Sequence, residues 1–169
     1  MAQESIKIIK DDHRKLDSIV SEIRSFKNSY VKVGVLEGTQ EKIKYTDKKG
    51  RKRTKGSIMM AMIAAVHEYG SSKRGIPERS FIRSWVDGSK AEINKTLLLL
   101  LRAVEDGKLT SYMALKRLGA FGVSGIRKKI STGPFKPLSE ATIRRKKSSK
   151  PLIDTGQLRG GIHYKVEKR

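Results

Sequence analysis

Apolar side chains recur every three or four residues at Ile6, Ile9, Leu16, Val20, Ile23 and Phe26, with His13 in one gap. The spacing predicts a helix over residues 3–27 with one apolar face, opposite Lys10, Asp11, Arg14, Lys15 and Glu22. So narrow a stripe packs on a partner surface, and a neighbouring subunit is one such surface. Asn28 and Ser29 close the helix. From Tyr30 to Leu36 the pattern changes to alternation, the mark of a strand, and Gly38 ends it. Ser57 is placed to cap a helix over Ile58 to Val66, which is apolar nearly all round and therefore expected to be buried. Its methionines read as adaptable core filler. Gly70 to Pro77 reads as a loop, and Phe81, Ile82 and Trp85 as a short apolar cluster.

Ser89-Lys90-Ala91-Glu92 fits a capping box, so a helix is expected from there to Asp106, stopped by Gly107. Leu97 to Leu101 wrap around that helix, which calls for cover on more than one side, by a subunit interface as well as by the core. A further helix from about Thr110 to Ile130 carries Gly119, Gly122 and Gly125 three apart. Each costs roughly 1 kcal/mol of helix propensity, so close backbone packing is the expected compensation. Ser139 to Arg145 reads as a short amphipathic helix, and Gly161 to Val166 alternates as a closing strand able to pair with the first. The whole is an α+β fold in a single domain, residues 1–169: a small antiparallel sheet packed with several helices.

Charge adds a second layer. The chain has 169 residues, 38 Lys plus Arg against 17 Asp plus Glu, and a net charge of +21. The excess is concentrated. Eight Lys or Arg face only Glu41 and Asp47 between residues 41 and 56, a stretch with little to bury. Such a segment cannot offset its ordering entropy, so residues 37–57 are expected as a flexible basic loop or hairpin tip. A second basic segment, 127–150, holds nine Lys or Arg against Glu140 alone. Cysteine is absent, which excludes disulfides and thiolate chemistry. The apolar runs Ile58 to Val66 and Leu97 to Leu101 fall far short of the roughly 18–20 residues of a membrane span. Met1-Ala2-Gln3-Glu4 lacks a cationic segment ahead of an apolar one, so no secretory signal is expected. At 6% aromatic, the chain is poorly supplied for base stacking.

Leu152-Ile153-Asp154-Thr155-Gly156 has the aspartic-protease look, but there is one copy, and Gln157-Leu158-Arg159 departs from the residues such enzymes carry next. The stretch after Gly156 is also short for a flap. The local reading is preferred: Asp154 and Thr155 cap a turn, Gly156 supplies a permissive backbone angle and Arg159 pairs nearby. His67-Glu68 would need a second histidine at position 71 to be a zinc helix, and that residue is Ser71. His13, His67 and His163 lie on three separate elements. No phosphate loop or nucleophile elbow is present, and no catalytic, cofactor or metal residue is assigned.

Three strings in order resemble a known family. Val31 to Leu36 with Ile63-Ala64-Ala65-Val66-His67-Glu68-Tyr69-Gly70 is the first; Ile76-Pro77-Glu78-Arg79-Ser80-Phe81-Ile82-Arg83 is the second. The third is Phe135-Lys136-Pro137-Leu138-Ser139 with Thr142 and Lys146, then Pro151 through Arg159. Together, over roughly residues 30–166, they resemble the tail-completion, or virion-morphogenesis, proteins of tailed bacteriophages. Gly160 departs from the Asn or Ser that often follows Leu-Arg in that family.

The resemblance implies a structural, non-enzymatic protein of the head–tail interface. It would form a ring, commonly hexameric, joined to the tail tube and to head-connector or neck proteins, in a virion assembled in the host cytoplasm. Contact with genomic DNA would be non-specific, with no membrane and no cofactor. The candidate partner or DNA contacts are Lys48, Lys49, Arg51, Lys52 and Arg53 in the basic loop, Ile76, Arg79, Phe81 and Trp85 in the second string, and Arg144 and Arg145. The rival reading, from the net charge and the two basic segments, is a sequence-independent nucleic-acid-binding protein.

Overall fold

Helix-sheet packing here is decided by the three glycines spaced along one helix. In the computed structural model, which describes residues 13–36, 40–46, 52–146 and 149–169, helix α5 (Ser111–Thr132) lies across a two-stranded sheet. A Cβ placed on Gly119 would fall 2.6 Å from the Tyr164 ring, and one on Gly122 would fall 3.2 Å from Val33. One on Gly125 would fall 2.2 Å from the Trp85 indole nitrogen. The missing side chains let the helix backbone approach the sheet and the tryptophan, which is the compensation that their helix-weakening cost requires.

The sheet joins β1 (Ser29–Val35) to β4 (Ile162–Lys168), antiparallel, with Val31 opposite Val166, Val33 opposite Tyr164 and Val35 opposite Ile162. First and last strands of the described chain therefore pair, as the two alternating segments predict. Glu167 sits on its surface, accepting from the Tyr30 hydroxyl at 2.8 Å and pairing with Lys32 at 2.6 Å and Lys165 at 3.0 Å.

Helix α2 (Met60–Tyr69) turns Met60 and Ala64 into the main core, where they meet Phe81, Ile126, Ile130, Leu152, Leu158 and Ile162. A second, smaller core forms where α1 (His13–Lys27), α4 (Lys90–Glu105) and α5 meet, around Leu100, Val104 and Ala114 with Phe26, Leu109 and Leu118. Glu22 of α1 ties this side together by accepting the Ser111 backbone N–H at 2.6 Å. That N–H is one of the orphan donors at the start of α5; the Thr110 hydroxyl accepts another, from Met113, at 3.2 Å. Gly107, at φ 70°, stops the preceding helix, and the chain turns back.

Three local expectations need correction. Residues 57–59 belong to a strand, so Ser57 does not open α2; Met59 holds the cap position and no side chain caps it. Ser89 makes no side-chain cap either. Its backbone N–H is already donated to Trp85 O at 2.9 Å, because α3 (Arg83–Gly88) runs almost directly into α4, and the reciprocal half of a capping box has no donor left. Of the two forms expected over 37–57, a flexible loop or a hairpin tip, the described residues take the hairpin and are not a loop: β2 (Gln40–Thr46) and β3 (Lys52–Met59) pair antiparallel with a register shift between Lys42 and Lys44. Lys48, Lys49 and Arg51 lie outside the described residues, as do residues 3–12 of the span expected as a helix over 3–27. Two short helices, α6 (Glu140–Lys146) and α7 (Gln157–Gly160), complete the order.

Candidate functional site

A glutamate on the apolar side of α2 organises the chain around it. Glu68 follows Met60 and Ala64 at helical spacing, on the same inward face, and is only 4% exposed. A buried carboxylate must find donors or lose its charge. It finds them in the segment that returns from the 70–77 loop. Glu68 Oε2 accepts the backbone N–H of Phe81 at 2.9 Å and of Ile82 at 3.0 Å. Its Oε1 accepts the Arg83 N–H at 2.9 Å and the Ser80 hydroxyl at 2.7 Å. These donors surround the first turn of α3, so the carboxylate serves as that helix's cap from a distance. Burial pushes the Glu68 carboxyl up. The N–H groups of Ile82 and Arg83, the Ser80 hydroxyl and the Phe81 N–H outweigh it and leave the group below its ordinary value.

Arg83 closes the node from outside. Its Nε reaches Glu68 Oε1 at 3.3 Å, and its Nη2 donates to the Glu68 carbonyl at 3.0 Å and to Glu78 Oε1 at 2.6 Å. The guanidinium lies 4.7 Å from the centre of the Tyr69 ring. Gly70 makes the turn possible: its φ is 74°, and a Cβ there would stand 2.9 Å from the Glu78 backbone nitrogen. The 71–76 loop that follows is pinned by the Ser71–Ile76 bridge.

The node reaches a third stretch through Arg79. Its N–H donates to the His67 carbonyl at 2.8 Å, while its guanidinium donates to the carbonyls of Lys136 at 3.0 Å and Pro137 at 3.3 Å. Residues 67–70 and 76–83 are thereby tied to Lys136 and Pro137, 57 and 58 positions further along the chain from Arg79. Beside the node opens a cleft of about 760 Å³, walled by the 71–79 segment on one side and by residues from Lys136 to Pro151 on the other.

The candidate residues separate into groups. Ile76 and Arg79 line the cleft, though Arg79 is 5% exposed and bonded within the chain. Phe81 is 0% exposed and belongs to the core, so its side chain is not free to anchor a partner as the sequence suggests. Trp85 is half-buried against Gly125 and Phe121, 5.9 Å between ring centres, and anchors α3 to α5. Arg144 is exposed on α6, which also carries Arg145; Lys52 and Arg53 begin β3.

Asp154 is exposed, Thr155 Oγ1 accepts the Gln157 N–H at 3.4 Å, and Gly156 caps α7 at φ 79°. The Asp-Thr-Gly string is thus a helix-opening turn. Arg159 is exposed and makes no ion pair among the described residues, so the local pairing expected of it is not seen there.

Glu68 was missed as a site residue by sequence reasoning, although the signal was present. An acid four residues after Ala64 on an all-apolar helix face has to be met by several donors, and none lies on its own helix. Among the described residues no group of three His, Cys, Asp or Glu is placed to hold a metal, and no helix is long and apolar enough to cross a membrane. Set against protein-family models, curated proteins and solved structures, the chain matches none.

Proposed function

We propose that this chain is a structural protein of the head–tail interface of a tailed bacteriophage, acting in tail completion and head–tail joining. One observation supports it most: the strings that carry the resemblance meet through Glu68 and Arg79 in one rigid corner. Glu68 accepts from the Ser80 hydroxyl and from the N–H groups of Phe81, Ile82 and Arg83, besides the Arg83 guanidinium, and has no capacity left for proton transfer, so it works as an anchor. In this reading the chain acts by assembly rather than by catalysis. Copies form a ring, of six in the family it resembles, and engage the tail tube and the head connector. The apolar residues exposed on α1 and α4 are contact surface in that ring. The basic segments face acidic neighbours or the threaded DNA, which moderates a charge of +21.

The test is genetic and visual. Removal of the gene from the phage that carries it is expected to leave filled heads and finished tails unjoined. A tagged copy supplied in trans restores joining and is seen by electron microscopy at the neck. Joined, infectious particles made without the protein refute the proposal. A purified monomer that instead retards duplex DNA, with affinity falling steeply as salt rises, moves the assignment to the nucleic-acid reading.

A further inference from the structure

We infer that the cleft between the 71–79 segment and residues 136–151 receives an acidic, leucine-bearing peptide segment of a partner protein. The inference goes beyond the assembly role and does not depend on which particle the chain belongs to.

Charge is the first argument. Arg74, Arg79, Lys136 and Lys146 line the cleft, and among the described residues no aspartate or glutamate does. Arg79 is the telling member. It is 5% exposed, yet its guanidinium is held by neutral carbonyl oxygens, and it has no carboxylate partner among the described residues. A buried cation without a counter-charge is costly, and a carboxylate brought in by a partner removes that cost. His67 adds to the imbalance: its Nδ1 is buried without a hydrogen-bond partner, and burial together with Arg79 and Lys146 depresses its proton affinity.

The second argument is the rest of the lining. Ile76, Pro77, Leu138 and Pro151 give the cleft an apolar component, and among the described residues no Phe, Tyr or Trp lines it for a base to stack on. Carboxylates with aliphatic side chains between them match this mixture; a phosphodiester strand matches only its charge. A second copy of the chain is a poor occupant of the cleft, since with 38 Lys plus Arg against 17 Asp plus Glu it supplies little of the counter-charge these side chains need; the ring contact is assigned to the apolar faces of α1 and α4, not to the cleft. The mouth is open, with Arg74 and Lys136 both exposed, so long-range attraction can guide an acidic segment in.

The probe is a fluorescein-labelled dodecapeptide of alternating Glu and Leu, read by fluorescence anisotropy on the full chain. Its partner control has Gln at every Glu. Arg74→Glu with Lys136→Glu reverses the mouth. Both side chains are exposed and the Lys136 carbonyl that holds Arg79 is kept, so the fold should survive, as circular dichroism will show. Lys95→Glu with Arg117→Glu makes the same charge change on exposed positions outside the cleft lining.

The expected result is binding that weakens at least about tenfold with the Gln peptide and with the cleft pair, but less than about twofold with the distant pair. The His67 imidazole should also titrate at higher pH when the Glu peptide is bound, as followed by NMR. Several results overturn the inference: no binding, equal loss from the two charge reversals, or equal affinity for the Gln peptide. So does an oligo(dT) dodecamer that displaces the Glu peptide and depends on the same two residues, which assigns the cleft to nucleic acid.

Discussion

The corner around Glu68 and the outer face of α1 and α4 treat side chains in opposite ways. At the corner a charged group faces inward, 4% exposed, and each of its bonds is internal. On α1 and α4 greasy groups face outward: Leu16, Val20 and Ile23 on one helix, Leu98 and Leu99 on the other, the two leucines of α4 each 56% exposed. One arrangement fixes shape and the other leaves adhesion available. The difference teaches that the polar residue is the structural element here, while the apolar ones are left on the surface.

The comparison breaks most visibly at Glu68. Glu68→Ala leaves three backbone N–H groups and the Ser80 hydroxyl without an acceptor in a closed corner. The expected cost is about 3–5 kcal/mol, the range for removing one member of a buried charged network. Urea denaturation measures it, and hydrogen exchange should show the Phe81, Ile82 and Arg83 amides opening first. A loss under about 1 kcal/mol, the worth of one ordinary hydrogen bond, would mean that the corner is not what holds α3 in place.

Next comes the glycine-lined helix on which both regions rest. Gly125→Ala drives a methyl into the Trp85 indole, and the expected penalty is about 1–3 kcal/mol despite the gain in helix propensity. Gly88→Ala meets nothing within 4 Å and should be neutral or slightly stabilising. The paired thermal melts carry the result, because the two substitutions are chemically identical and differ only in what the new methyl meets.

Legibility in the sequence follows the same divide. Glycines three apart on a helix, a Gly after Asp106, and alternation at both ends of the chain are local or periodic signals, and each has its counterpart in α5, Gly107 and the β1–β4 pair. The α+β class follows from them. What stayed hidden depends on partners distant in sequence. Glu68 looks like half of a failed zinc motif until the 80–83 backbone arrives beside it. Ser89 looks like a cap until α3 uses its N–H. The basic 40–59 stretch pairs with itself because backbone hydrogen bonds need no apolar side chains, which burial arguments overlook. Phe81 reads as an anchor from its neighbours in sequence and is a core residue from its neighbours in space.

A second carboxylate sharpens the contrast at smaller amplitude. Glu167 also collects donors, from Lys32, Tyr30 and Lys165, but on the open face of the sheet; these bonds pull its carboxyl down to about 2. A lowered value in the folded state means stability that is fully present above the ordinary carboxylate range. It is lost as pH falls through that range toward about 2. Glu167→Gln should therefore remove part of the acid sensitivity of unfolding between those limits and alter stability at neutral pH only slightly, since solvent screens exposed pairs. Acid titrations of both proteins, followed by circular dichroism, should diverge in that window alone.

The smallest change in fold stability is expected on the outer face itself. Leu98 and Leu99 are more than half exposed, while Leu100 beside them is buried in the second core with Val104. Replacing the first two by serine removes little burial within the chain, so Leu98→Ser with Leu99→Ser should shift stability by no more than about 0.5 kcal/mol, the usual range for surface substitutions. Leu100→Ser, one residue further along, should cost several times as much, because it places a hydroxyl where no partner waits. The ring reading adds a demand that stability alone does not make: the double serine variant must stay folded and yet lower the particle mass seen by light scattering. If its mass matches that of the unaltered chain, this face is merely exposed, and the contact between copies has to be sought on another side of the molecule.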